Sequence, residues 1–209
     1  GMKILNSSEL HEMEPNVSEK AIAALYAPSA GIVSPWELAI AMAETAVKNG
    51  AEVMLRSEVT AIEKQDGAFA IQAGGKTVTA RFIINAAGVA SDRVHNMIAK
   101  PFFHITPNKG EYYLMDKSQG GIVSHVIFQC PNKDGKGVLV SPTVHGNLIV
   151  GPNAHDTVPG DLANTAAGLD FVRQTALRSV PGISFRDSIR NFAGLRAISE
   201  IDDFLIGES

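Results

Sequence analysis

The chain has 209 residues, 45% of them hydrophobic and 19% charged, which is the make-up of a globular protein long enough for one large domain or two small ones. A net charge of −4 gives no support to nucleic acid or an anionic membrane surface as the main partner. The lone Cys130 excludes an intramolecular disulfide framework and a cysteine-based zinc site, no apolar run reaches the ~18 residues that span a bilayer, and the cytoplasm is the expected compartment.

In chain order, Gly1-Met2 reads as an expression-tag scar, and residues 1–35 carry no firm periodicity beyond a short helix over Glu19–Leu25. Ser34, Pro35 and Glu37 form a capping box that starts a helix carried by Leu38, Met42, Ala46 and Val47 and ended by Asn49-Gly50. Glu52–Leu55 predicts a short strand. Val59–Glu63, Ala68–Gln72 and Lys76–Thr79, separated by Asp66-Gly67 and Gly74-Gly75, predict a three-stranded meander. Phe82–Asn85 predicts an apolar strand, and Ser91–Ala99 a helix closed by Pro101.

Beyond Lys109 the pattern turns strand-rich, with strands expected over Glu111–Met115, Ile122–Gln129, Gly137–Val140 and Asn147–Val150. Turns fall at Gly120-Gly121, Asp134-Gly135 and His145-Gly146-Asn147. A helix over Leu162–Leu177 stops at Pro181-Gly182, and strands over Phe185–Asn191 and Asp203–Ile206 finish the chain. This predicts an α+β fold with a boundary near residue 100. Before the connecting stretch 89–108 lie one helix, two short strands and the meander, too little for a complete doubly wound sheet, so residues 1–100 read as a partial domain. Residues 101–209 form a strand-rich domain whose mixed sheet has helices on one face. Both ends read as cut, so the chain is expected to be a piece of a longer protein.

Three motifs bear on chemistry. Asn85-Ala86-Ala87-Gly88 ends an apolar strand in small residues, the shape needed where backbone comes close to a bound dinucleotide. Lys109-Gly110-Glu111-Tyr112-Tyr113 has two readings: a lysine that attracts an anion, or a solvated lysine before an edge strand whose tyrosines pack on the core. Ala193-Gly194-Leu195-Arg196 offers a guanidinium whose planar donor fork suits an oxyanion. His145 reads as a turn residue in the hairpin Ser141–Asn147, His125 as a packing residue in a strand, and Cys130 as a buried, inert thiol. The remaining histidines share no metal-ligand spacing, no metal site is expected, and no serine lies in a G-x-S-x-G elbow.

Taken in order with Gly151-Pro152-Asn153-Ala154, these motifs resemble the D-amino-acid oxidase superfamily of FAD-dependent oxidoreductases, and most of all its glycerol-3-phosphate dehydrogenase and 2-hydroxyglutarate oxidase branches. The resemblance spans roughly residues 10–206 and departs from the family by lacking a G-x-G-x-x-G turn. It implies the C-terminal part of an FAD-binding domain joined to a substrate domain, with FAD as cofactor. It assigns Glu58, Val59, Asn85, Ala86, Ala87 and Gly88 to the cofactor, and Arg196 with Lys109 to the substrate's anionic group. The reaction implied is hydride transfer from a small anionic hydroxy compound, with the catalytic group unassigned and this piece alone inactive. Two alternatives stay open: a non-catalytic docking subunit whose partner supplies FAD, and an amine or amino-acid oxidase of the same superfamily. A redox partner or companion subunit is the expected macromolecular contact.

Overall fold

The strongest local signals become the most regular elements of the computed structural model, which describes residues 1–131, 137–201 and 203–207. Helix α2 (Pro35–Lys48) starts at the expected cap, where Ser34 Oγ accepts the Glu37 backbone N–H at 3.4 Å. The meander forms as β3 (Val59–Gln65), β4 (Ala68–Ala73) and β5 (Lys76–Ala80), all antiparallel. Asp66 and Gly67 both take positive φ, 48° and 78°, the backbone that makes a two-residue hairpin turn follow the strands' twist.

Contacts divide the chain into two units, each built from three segments: residues 1–38, 109–155 and 161–194, and residues 39–108, 156–160 and 195–209. This differs from the single cut near residue 100. The change-over points at 108/109 and 194/195 fall inside the long strands β6 (Ile105–Met115) and β10 (Ser188–Ser199), so no linker composition marks them.

The first unit is organised by a sheet in the order β10-β6-β8-β7, with β7 (Leu139–Pro142) and β8 (Leu148–Gly151) joined by the expected hairpin and β9 (His155–Asp156) paired to β6. Tyr113 lies opposite Val150 and Val140 opposite Val150, both pairings antiparallel. Helix α4 (Ala166–Ser179) is capped by Thr165, whose hydroxyl accepts the Gly168 N–H at 3.0 Å. Its Val172 and Ala176 join Met115, Val140, Leu148 and Val150 in the main core. A smaller cluster of Leu5, Leu10 and Val17 lies under β1 (Lys3–Asn6), α1 (Ser7–Met13) and β2 (Ala23–Tyr26). The helix expected over Glu19–Leu25 is thus strand β2 at its C-terminal end, because β1 supplies a ladder from Lys3–Tyr26 to Asn6–Ala23.

Other expected strands do not form. Ile122–Gln129 makes one bridge, Ile127 to Val140, because the N–H groups of Ser124 and His125 donate to the Glu14 carboxylate instead of a neighbouring strand. In the second unit Glu52–Leu55 and Phe82–Asn85 run without a ladder partner among the described residues, leaving Leu55 81% and Ile84 92% exposed. Asp203–Ile206 is likewise unpaired. A strand needs a neighbour to satisfy its backbone, so apolar sequence alone does not make one. Helix α3 (Ser91–His95) is shorter than expected and follows a single 3-10 turn over Gly88–Ala90. The Phe185–Asn191 strand begins only at Ser188, after another 3-10 turn, and the Asp134-Gly135 turn lies outside the described residues. Cys130 is exposed rather than buried.

Leu148 is fully buried in the main core. Leu148→Ala is expected to lower the unfolding free energy by about 2–5 kcal/mol, the usual cost of such a cavity, measured by chemical denaturation followed in the near-ultraviolet.

Candidate functional site

The residues read as cofactor contacts lie in the second unit. Asn85 folds its loop back on itself: its Oδ1 accepts the Ala87 N–H at 3.3 Å, and its Nδ2 donates to the Ser91 carbonyl at 2.8 Å. Ala86, Ala87 and Gly88 are exposed. Gly88 has φ +58°, and a Cβ placed on it would meet nothing within 4 Å. The loop therefore presents bare backbone to open space in a conformation that side chains rarely adopt, which fits close approach by a flat or ribose-bearing group. Glu58 is exposed just before β3, its carbonyl accepting the Gly74 N–H at 3.3 Å, and Val59 opens the strand opposite Ala73.

Arg196 is exposed on β10, and among the described residues no side chain bonds or pairs with its guanidinium. Strand alternation puts it on the same face of β10 as Phe192 and Gly194. Phe192 in turn stacks on Tyr112 at 4.9 Å with the rings 8° from parallel.

Lys109 is 2% exposed. Its Nζ donates to Asp161 Oδ2 at 2.7 Å and to the Ala163 carbonyl at 2.9 Å. It is neither the solvated lysine of one reading nor free for a ligand, since its ammonium is committed to the loop before α4. Nor is the strand it lies on an edge: β6 runs between β10 and β8. Of its tyrosines, Tyr113 meets Phe185 beside the core, while Tyr112 takes the Phe192 stack.

The sequence did not mark the next side chain on that face as special. Glu111 is fully buried. Its carboxylate accepts bonds from Asn153 Nδ2 at 2.7 Å, from the Thr165 hydroxyl at 3.3 Å and from the Thr165 backbone N–H, and its own N–H donates to Asn153 Oδ1 at 2.8 Å. Burial pushes this carboxyl upward, but the bonds from Asn153 and Thr165, with the charge of His155, hold it below its ordinary 4.5. A Cβ on Gly168 would fall 1.5 Å from Glu111 Oε2, so only glycine lets the first turn of α4 close over the carboxylate. The signal that could have found this cluster was a carboxylate at the inward parity of a strand, two residues from a lysine of the same parity. Beside it, Asn153, Ala154, His155 and Phe171 line an open depression of about 360 Å³.

A second buried carboxylate was also missed. Glu14 is 2% exposed and holds His125, Nδ1 to Oε1 at 2.6 Å, with Tyr26 edge-on to the imidazole at 5.6 Å. His145 lies in its turn, exposed, 3.3 Å from the exposed Glu37.

These features belong to a known class. The chain is a member of the DAO family of FAD-dependent oxidoreductases, whose family model matches residues 1–209. It is 46% identical over 207 residues to the glycerol 3-phosphate dehydrogenase of Caloramator mitchellensis, a match covering 99% of this chain and 43% of that protein. The L-2-hydroxyglutarate dehydrogenase of Salmonella houtenae is 32% identical over 154 residues, 72% of this chain and 36% of that protein. Among solved structures, dithionite-reduced L-α-glycerophosphate oxidase from Mycoplasma pneumoniae with FAD bound superposes with a TM-score of 0.87 at 28% identity, covering 95% of this chain and 53% of that one. The chain thus spans about half or less of the length of these relatives. The expected α+β fold class and the expected cofactor, FAD, both agree with this membership.

Because the folded state holds Glu111 below its ordinary value, its contribution to stability is complete above about pH 4.5 and is lost as pH falls through the folded value. Glu111→Gln turns an amide donor toward Asn153 or Thr165 and is expected to cost about 2–3 kcal/mol at pH 7. The variant's acid-denaturation curve should be flatter than the parent's, with the gap closing toward pH 3. An equal gap at pH 7 and pH 3 would contradict the role given to the charge.

Proposed function

We propose that the intact protein is an FAD-dependent dehydrogenase or oxidase acting on a small anionic hydroxy compound, with glycerol 3-phosphate the first substrate to test. The observation that carries this is the 46% identity to a glycerol 3-phosphate dehydrogenase over 99% of the chain. The exposed guanidinium of Arg196, which pairs with no side chain among the described residues, supports it, since a planar donor fork binds a phosphate or carboxylate with two parallel hydrogen bonds.

In this reading Asn85, Ala86, Ala87 and Gly88 let backbone lie against the cofactor, with Glu58 and Val59 beside them at the head of the meander. FAD, when bound, supplies the hydride acceptor. Arg196 holds the substrate's anionic end and so fixes which C–H is presented, turning binding energy into orientation. Lys109 enters only through the Asp161–Ala163 loop that it ties down. The intact enzyme works in the cytoplasm in this reading, and a redox partner or companion subunit receives its electrons.

The test uses the intact protein loaded with FAD. Glycerol 3-phosphate should bleach the flavin band under anaerobic conditions, and L-2-hydroxyglutarate is the comparison substrate. Arg196→Ala should keep its FAD and lose roughly 10- to 150-fold in kcat/KM, equivalent to about 1.5–3 kcal/mol for a hydrogen bond to a charged group, with Arg196→Lys intermediate. A parent enzyme that neither substrate reduces would overturn the substrate class. An Arg196→Ala enzyme with unchanged kcat/KM would remove the arginine from the site.

A further inference from the structure

The cofactor loop does not end in a rigid element. It runs through one 3-10 turn into α3, which has five residues, and so short a helix has little stability of its own. Something else must fix the loop's exit. Asn85 anchors the loop to the carbonyl of Ser91, the first residue of α3. The next residue, Asp92, is 6% exposed and is the most heavily bonded side chain of this stretch. Its Oδ1 accepts the Arg93 N–H at 2.8 Å, while its Oδ2 accepts the Ile105 N–H at 3.1 Å and His104 Nδ1 at 2.8 Å.

We propose that Asp92 is a positioning residue for the cofactor loop: its carboxylate clamps the loop's exit to His104 and Ile105 at the start of β6, holding the Asn85–Gly88 backbone in its ligand-ready shape. The inference rests on the reading of Asn85–Gly88 as an FAD contact. One carboxylate joins two segments thirteen residues apart in sequence, and one peptide unit separates it from the Ser91 carbonyl that Asn85 grips. Loosening Asp92 therefore frees the loop's anchor without removing any atom that faces the ligand. Burial pushes the Asp92 carboxyl up, but the N–H groups of Ile105 and Arg93 and the charge of His104 hold it below its ordinary 3.8, so the clamp is ionised at neutral pH. A second hold on α3 is apolar: the buried His95 ring meets Phe102 at 4.8 Å and Phe103 at 5.2 Å.

Removing a cofactor contact and loosening its support should differ in what they change. In the intact protein stripped of FAD, titration with FAD followed by quenching of flavin fluorescence gives the dissociation constant without any turnover. Asp92→Asn keeps the shape but faces a donor with a donor, and it is expected to raise the FAD Kd at least 10-fold while KM for substrate at saturating FAD stays within twofold. His104→Ala removes one of the three bonds from a histidine whose side chain is 66% exposed, so it should fold normally and raise Kd about threefold. It decides the matter should Asp92→Asn fail to fold. Gly88→Val, which puts a side chain into the open space over the loop, separates the two levels of the argument. If Gly88→Val binds FAD as the parent does, the loop reading falls and the clamp with it. If Gly88→Val loses FAD while the Asp92 and His104 variants keep the parent's Kd and merely melt earlier, the loop reading stands and the positioning role is wrong.

Discussion

A carboxylate buried beneath the start of a helix is the constraint around which the first unit is arranged. Glu111 points from the inner strand β6 into the interior, where an unpaired charge would be very costly. Its cost is offset by donors from Asn153, beyond the end of β8, and from Thr165, the cap of α4. The positive end of the helix dipole adds to the same effect. Strand, loop and helix are therefore fixed to one another by three side chains. The apolar packing of Val172 and Ala176 on Leu148 and Val150 is built on that registration. Lys109, two residues earlier on the same face, repeats the device with opposite charge against Asp161 and Ala163.

What could be read from the sequence was whatever is decided within a few residues. The capped start of α2, the Asp66-Gly67 turn and the β7–β8 hairpin depend on local dihedral preference and neighbouring side chains, and all three form as expected. Expectations failed where the deciding partner lay far along the chain. Ile122–Gln129 has the composition of a strand, yet its N–H groups are claimed by Glu14, more than a hundred residues away. Phe82–Asn85 has the composition of a buried strand and finds no neighbour among the described residues.

The candidate site was legible in a similarly uneven way. The small residues of Asn85–Gly88 announced a backbone surface, because close approach is a property of those residues alone, and the structure leaves that surface open. Arg196 stood out by residue type, and the structure leaves it exposed. Lys109 did not: a lysine in sequence does not say whether its charge faces a ligand or a distant aspartate, and here Asp161 lies fifty-two residues on. Of the residues assigned to cofactor and substrate, Glu58, Val59, Asn85–Gly88 and Arg196 fall in one unit, while Lys109 falls in the other with Glu111.

The 1.5 Å gap between Glu111 Oε2 and a Cβ on Gly168 has a meaning for how such a chain can drift over generations. While glutamate occupies position 111, every side chain at 168 is forbidden, although alanine would suit the helix better. Only after 111 has shortened, and Asn153, whose Nδ2 lies 2.7 Å from that Cβ, has moved aside, does 168 become free, and an alanine accepted there then bars the return of the glutamate. The pair works as a ratchet: the order in which two mutations arrive, rather than the merit of either, decides whether a lineage keeps its buried charge.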